Sequence, residues 1–280
     1  MPELPEVETM RRGIAAIAGH KIAGAERLRC TRRPILMHPR TLVRKLTRQF
    51  IADVGRLGKR VVLRLQSGDR LVFEPRMTGL VLIGDPPTQE HLRFRLDLEG
   101  GPIPHVWYWD RRGLGSVRLF SAEQFAEQFE TGALGPDALA LSAEELRERL
   151  HSSRRAIKVA LLDQRAIAGV GNLYASEILH LARVHPAKRC DLLTPAQWEA
   201  IHARMLAVLH LAIRHEGSTL SDGTYRNALN QSGGYQNHHR VYDRAGELCV
   251  QCSRTAIVRI VQAQRATFYC PLCQTKRPTR

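Results

Sequence analysis

Four cysteines constrain this chain more than any other feature. They stand as Cys249-x2-Cys252 and Cys270-x2-Cys273, with seventeen residues between the pairs. Paired knuckles at this separation fit tetrahedral zinc, and four thiolates leave no open coordination position. The expectation is therefore one structural Zn2+, with two disulfides as the alternative that a reducing compartment disfavours. Closing such a site turns the intervening chain back on itself. Ile257-Val258-Arg259-Ile260-Val261 and Ala266-Thr267-Phe268-Tyr269 read as two strands of a hairpin. Gln264-Arg265 falls near its turn, where Arg265 can reach a phosphate. Cys30 and Cys190 are left over, and buried free thiols are their expected state.

A zinc hairpin uses only the tail. The full 280 residues can hold two ordinary domains with real cores, and a hydrophobic content of 44% marks the chain as globular. A net charge of +15 calls for an acidic partner, nucleic acid before membrane. No apolar run is long enough to span a bilayer and no signal peptide opens the sequence, so the expectation is a soluble intracellular protein.

The other end opens Met1-Pro2-Glu3-Leu4-Pro5-Glu6-Val7-Glu8. Trimming of the methionine would leave Pro2 with a free secondary amine. An α-amino group has an unperturbed pKa of about 8, so part of it is unprotonated near neutrality and can attack an electrophilic carbon to form an imine. Glu3 beside it supplies a proton donor or acceptor. The plainer reading also stands: Pro and Glu suit the first turn of a helix. Val7, Met10, Ile14 and Ile17 recur at helical spacing and predict a helix from Leu4 to Ile17, stopped by Gly19. The basic run Arg27 to Arg33 reads as a solvated surface strand.

From Arg60 to Phe120 short strands follow one another, which argues for a β-sandwich or barrel. Lys59 heads one of them and by itself is surface charge. Arg76-Met77-Thr78-Gly79 sets a long apolar residue beside a turn, and Asp110-Arg111-Arg112-Gly113-Leu114-Gly115 is a glycine-punctuated loop with two arginines. Such loops can enter and unstack DNA, or simply pack, with Met77 in the core. From Ser121 the chain turns helical, with capping boxes at Ser121 and Ser142 and a linker over Thr131–Asp137. Further helices are predicted near 155–165, 173–183 and 195–215. Gly169-Val170-Gly171-Asn172 precedes one of them. Asn172 there is a candidate N-cap, and backbone N–H groups at a helix start suit phosphate. Arg154, Arg155 and Lys158 add charge. The glycine-rich stretch 217–240 reads as a mobile loop facing substrate.

Three motifs occur together and in order: Pro-Glu-Leu-Pro-Glu-Val-Glu-Thr at 2–9, Gly-Val-Gly-Asn-Leu-Tyr-Ala-Ser-Glu at 169–177, and Ala-Gln-Arg-Ala-Thr-Phe-Tyr-Cys-x2-Cys at 263–273. Over essentially its whole length the chain resembles the formamidopyrimidine-DNA glycosylases, the bacterial base-excision repair enzymes for oxidised purines. The resemblance implies an α+β multidomain fold: an N-terminal β-sandwich with flanking helices at 1–132, a helix-two-turn-helix domain at 133–240 and a zinc β-hairpin at 241–280. It implies a bifunctional glycosylase and abasic-site lyase acting on 8-oxoguanine and formamidopyrimidines through an imine at Pro2, followed by β,δ-elimination. Glu3 matches the acid/base partner, Lys59 the lysine assisting elimination, and Arg265 the arginine gripping phosphates around the flipped nucleotide. Met77 matches the residue filling the vacated stack, and Arg112 the partner of the orphaned cytosine. Lys158 and Asn172 match the helix-two-turn-helix phosphate contacts, with Arg154 as nearby charge, and Cys249, Cys252, Cys270 and Cys273 fall in the zinc-hairpin motif. Damaged double-stranded DNA is the implied partner, with no membrane, for a monomer in the bacterial cytoplasm at the nucleoid.

The sequence departs from the family pattern in its damage-searching residues. The reading loop has Gly113-Leu114 where the family carries Arg-Phe, so Leu114 replaces an aromatic wedge. Met77-Thr78-Gly79 replaces Met-Ser-Gly, and only His91 remains of a Lys-His-x-His segment. Two other readings stay open: an endonuclease VIII-like enzyme for oxidised pyrimidines, and a non-catalytic protein that binds DNA structure. Retained Met77 and Arg112 argue against the first, and the presence of Pro2, Glu3 and Lys59 against the second.

Overall fold

The computed structural model describes residues 2–28 and 37–275. Cys30 and the Arg29–Arg33 part of the basic run lie outside them. The chain divides into two compact units, Met1–Ala133 with Ile213–Gln236, and Leu134–Ala212 with Asn237–Arg280. The first break falls inside the expected linker. The stretch 213–236, which the sequence groups with the helical domain, returns to the first unit.

The first unit is a sandwich of antiparallel sheets. Its strands are β1 (Lys21–Arg27), β2 (Ile51–Leu57), β3 (Arg60–Leu65), β4 (Arg70–Glu74), β5 (Gly79–Leu82), β6 (Leu92–Glu99), β7 (His105–Asp110) and β8 (Ser116–Phe120). One sheet runs β1-β6-β7-β5, the other β2-β3-β4-β8. Val61, Leu63, Leu71 and Phe73 of one sheet and Leu80, Leu82, Phe94, Leu96 and Tyr108 of the other share a single core. Helix α1 (Leu4–Gly13) packs against β2 and β3 of one sheet and β5 of the other. Its residues Leu4 to Met10 are all buried. The helix ends at Gly13, earlier than the periodicity predicts, and Ala15–Ile17 continues as a 3₁₀ turn. Close packing explains Gly13: a Cβ there would lie 2.4 Å from that of Ala228. After the short α2 (Pro39–Leu46), α3 (Ala122–Phe129) opens on the expected Ser121 capping box. It packs Phe125 onto Val62 and Val72, with Phe129 beside them.

The second unit contains α4 (Ala143–Leu150), α5 (Ile157–Leu161), α6 (Asn172–Leu181), most of α7 (Pro195–Arg214) and the hairpin β9 (Val258–Gln262) and β10 (Arg265–Tyr269). The Ser142 capping box starts α4 as expected. Helix α6 buries Leu173 through His180 on all faces, the mark of a central helix. Cys190 is buried and free, and burial pushes its thiol up to about 11, so it stays protonated. No helix among the described residues is long and apolar enough to cross a membrane.

Candidate catalytic and nucleic-acid-binding sites

Pro2 is buried directly ahead of Glu3, the N-cap of α1. The start of this helix is fixed from two directions by Glu6. Its Oε2 accepts the backbone N–H of Glu3 at 2.9 Å, and its Oε1 accepts that of Ser218 at 2.9 Å. Gly217 makes that approach possible. Its φ of +77° suits glycine, and a Cβ would stand 2.8 Å from the Glu6 side chain. The Tyr225 hydroxyl donates to the Glu216 carbonyl at 3.0 Å, and burial raises its pKa well above the ordinary tyrosine value, so it remains a donor. The stretch read as mobile is therefore densely bonded. The Thr219 hydroxyl donates to Tyr225 O and accepts from Gly233 N–H, and Ala228 O accepts from the N–H groups of Ile83 and Gly84. Composition misled here because these polar residues satisfy one another.

Lys59 is half-buried in the two-residue turn between β2 and β3, closed by the Leu57–Arg60 pair. Gly58 supplies the positive φ, +54°, at the first turn position that such a hairpin needs. Arg56 braces the turn by donating to Gly58 O at 3.0 Å and to Glu8 at 3.1 Å. Glu8 lies on α1 and also accepts from Arg11 and Arg12. Burial works to raise its pKa, but hydrogen bonds from these guanidiniums hold it at about 2. One carboxylate thus anchors the Lys59 turn to the helix that begins at Pro2-Glu3.

Met77 and Leu114 are 37% and 36% exposed, large apolar side chains left out of the core. Arg112 is exposed between them in sequence. His91 is only partly open, its ring edge-on to Trp109 at 5.4 Å. The packing alternative for Met77 is set aside by its exposure.

In the second unit Arg154 is exposed, but Lys158 is 1% exposed. Its ammonium donates to Asn172 Oδ1 at 2.7 Å, Ala266 O at 2.9 Å and Thr267 Oγ1 at 2.6 Å. Three donors meet three protein acceptors, so Lys158 is a strut rather than the open phosphate contact expected of it. Asn172 differs from expectation too. Gly171 is the N-cap of α6, and the Asn172 amide donates to Ala266 O at 3.0 Å. Both residues hold the first turn of α6 against β10. Arg265 opens β10, exposed, after a turn in which Ala263 and Gln264 both have positive φ, +46° and +60°. Neither is glycine, so this tight turn carries backbone strain. Sequence reasoning missed Glu6, Gly217, Lys158's burial and Glu177, whose carboxylate accepts the N–H groups of Arg240, Val241 and Tyr242. Only Glu6 had a legible signal, the Glu3-x-x-Glu6 spacing of a capping box.

The four cysteines present sulfurs that all lie within 4.8 Å of one another. The Cys249–Cys273 and Cys252–Cys270 sulfurs are 3.9 and 3.7 Å apart. A tetrahedron with Zn–S bonds of about 2.3 Å has edges of about 3.8 Å, so the cage fits zinc. Burial raises the pKa of Cys270 and Cys273, a cost that a bound dication reverses. The chain holds one structural zinc here.

Three family models match in order: the formamidopyrimidine-DNA glycosylase N-terminal domain over residues 1–117, the H2TH domain of the same glycosylases over 134–224, and a zinc finger found in FPG and IleRS over 246–276. The formamidopyrimidine-DNA glycosylase of Chloroflexus aurantiacus is 39% identical over 277 residues, covering 98% of each chain. That of Lactococcus lactis is 35% identical over 281 residues, 99% of this chain and 100% of its own. Among solved structures, MutM in complex with DNA containing carbocyclic 8-oxo-G has a TM-score of 0.86 at 32% identity, and Lactococcus lactis Fpg with DNA containing N7-benzyl-Fapy-dG has 0.85 at 33%. Each alignment covers 98% of this chain and 100% of the other.

Proposed function

Because the chain belongs to the formamidopyrimidine-DNA glycosylase family, we propose that its buried N-terminal Pro2 is the nucleophile with which it excises damaged bases. The enzyme is a DNA glycosylase of base-excision repair that removes oxidised purines. A damaged base stacked in duplex is out of reach, so it is extruded at a cost of a few kcal/mol. Met77 and Leu114 enter the opened step and Arg112 offers donors to the orphaned cytosine. Glu3 passes a proton in base release. As the C1′–base bond breaks, the Pro2 amine forms a bond to C1′, and opening of the sugar ring gives the imine. The imine acidifies the C2′ proton. Its removal expels the 3′-phosphate, and a second elimination expels the 5′-phosphate, with Lys59 assisting. Arg265, Arg154 and Asn172 hold phosphates, and His91 stands for the family's phosphate-contacting histidine. Lys158 acts through Asn172 and β10. The functional division proposed is 1–132, 133–240 and 241–280, in a monomer working at the bacterial nucleoid.

The observation that carries this reading is the fixation of Pro2-Glu3 by Glu6, Gly217 and Ser218. A helix that merely begins with proline needs no bridge to a loop 212 residues away. Borohydride trapping tests it. The protein should be trapped on a duplex with 8-oxoguanine opposite cytosine, and more slowly on oxidised pyrimidines. Pro2→Gly should lose most trapping. A variant with one extra residue ahead of Pro2 should trap nothing, and undiminished trapping by that variant would place the nucleophile elsewhere.

A further inference from the structure

We propose that Asp110 and Thr78 form a buried clasp that makes the two DNA-entering loops one rigid wedge, so that Met77, Arg112 and Leu114 insert together. The inference rests on the reading of those three residues as the inserting elements.

Asp110 ends β7 and is fully buried. Its Oδ1 accepts the Thr78 hydroxyl at 2.5 Å and its Oδ2 accepts the Gly115 N–H at 2.8 Å. The Thr78 hydroxyl in turn accepts the Arg112 N–H at 2.9 Å. Thr78 is the neighbour of Met77, and Leu114 the neighbour of Gly115. Each inserting residue is therefore fixed at its own backbone or one residue away. The same aspartate reaches further through its main chain. Its N–H donates to His91 O at 2.9 Å, and its carbonyl accepts Arg93 Nε at 3.0 Å. The loop carrying His91 is joined to the same point.

The two loops approach one buried ring too closely for a side chain at either glycine. A Cβ on Gly115 would stand 1.8 Å from the Tyr108 hydroxyl, and one on Gly79 would stand 2.7 Å from it. That hydroxyl donates to Glu74 O at 3.1 Å, in the strand that leads into the Met77 loop. Both glycines seat their loops on a single buried ring. The positive φ of Arg76, +49°, and of Gly113, +61°, turn the chain outward just before Met77 and Leu114.

A carboxylate taken wholly out of water demands partners, and here they all come from loops whose tips are exposed. Their number at one buried group fixes geometry more tightly than loop packing would. The consequence is cooperative insertion. A wedge whose members move independently would enter a base step one residue at a time and leave as easily. Thr78 and Asp110 are positioning residues, and Thr78 in particular exchanges the roles of donor and acceptor between the two loops.

The test is a double-mutant cycle in the full-length enzyme, with Thr78→Val, Met77→Ala and the pair. A duplex carrying a stable abasic-site analogue opposite cytosine, with 2-aminopurine beside it, reports unstacking by fluorescence. Competition against undamaged duplex reports capture. Thr78→Val should lower capture about tenfold, the size expected for losing one buried hydrogen bond. It should cost little more once Met77 is already alanine, and Thr78→Ser should restore capture to within about twofold, because the hydroxyl is what matters. Additive losses in the cycle, or capture by Thr78→Val equal to that of the unsubstituted enzyme, would overturn the clasp. If Thr78→Val does not fold, a loss of capture in folded Thr78→Ser overturns it equally. An absence of any effect from Met77→Ala alone would instead sink the wedge reading on which the clasp depends.

Discussion

The two units hold the residues proposed to meet DNA by different physics. In the sandwich, Pro2, Lys59, Met77 and Arg112 stand on elements seated in one continuous core shared by both sheets and α1. Each large aliphatic or aromatic side chain buried there contributes roughly 1.5–3 kcal/mol, and no single polar contact is needed to keep the strands in place. The zinc hairpin has a buried core of Val241, Cys249, Ile257, Phe268 and Cys270. Two of these five are metal ligands. Its register against α6 is set by Lys158 and Asn172 on Ala266 and Thr267. The sandwich holds its strands by apolar burial and sets the helix start and loop tips with the carboxylates of Glu6, Glu8 and Asp110, whereas the hairpin depends on metal and charge for its fold. The sandwich should thus keep its strands folded when one polar partner is lost, even where a loop tip loses its aim, whereas the hairpin should fail as a unit.

Removing the metal should break this contrast open most widely. Structural zinc contributes on the order of 10 kcal/mol or more in isolated fingers, above what the three buried apolar side chains Val241, Ile257 and Phe268 supply at roughly 1.5–3 kcal/mol each. Cys270→Ser should release zinc and make amides of 246–275 exchange freely in hydrogen exchange, while strands β2, β3 and β4 stay protected. Loss of protection in both units would refute the contrast. Lys158→Met comes next. It keeps the stem but leaves Asn172 Oδ1 and Thr267 Oγ1 without the ammonium, so a loss of about 2–3 kcal/mol is expected. Denaturant unfolding should place that loss in the second unit, with weaker DNA binding and a salt dependence nearly unchanged, because the ammonium is taken up by protein acceptors. A shallower salt slope would show that it contacts a phosphate.

Acidity separates the units more gently. His239 is buried in the second unit, and burial, with Arg244 nearby, lowers its pKa to about 4 from 6.5. The unfolded chain binds that proton first, so stability falls as pH drops from 6.5 towards 4. Glu8 in the sandwich has a folded pKa of about 2 against 4.5 unfolded, and its contribution is complete above 4.5 and lost only below it. Each amounts to roughly 2 kcal/mol once partial exposure of the partners is discounted. Amide exchange followed from pH 7 to pH 4.5 should show the second unit loosening first. Simultaneous loosening would mean that other groups dominate. The smallest effect expected is that of Leu114→Phe. An aromatic wedge stacks on a base where leucine cannot, and stacking is worth about 1–3 kcal/mol. Lesion capture against undamaged competitor should rise a few-fold, with single-turnover cleavage of pre-bound substrate little changed. Equal capture would show that Leu114 does not enter the step.

What the sequence revealed and what it concealed follow the same division. The cysteine spacing, the Ser121 and Ser142 caps and the alternation in the strands are local signals, and they predict a sandwich or barrel, the helices and the hairpin. Pro2, Lys59 and Arg265 stand where motif and pattern place them, at a helix start, in a turn and beside a turn. Lys158 was misleading because a lysine after two arginines looks like exposed charge. Its burial depends on Asn172, Ala266 and Thr267, up to 109 residues away, and no local pattern carries that. The 213–236 stretch hid its order for the same reason: Gly217 and Ser218 are fixed by Glu6 at the opposite end of the chain. Asp110 reads as one more acidic loop residue until both of its oxygens are seen to be occupied.

The central claim, that the fixed N-terminal proline performs the chemistry, is tested most directly by locating the bond. The enzyme is reduced with borohydride on a duplex containing 8-oxoguanine opposite cytosine, digested, and the cross-linked peptide sequenced by mass spectrometry. The account predicts the sugar remnant on the nitrogen of Pro2 in a peptide lacking Met1. A remnant on Lys59, or on any other lysine, would contradict it.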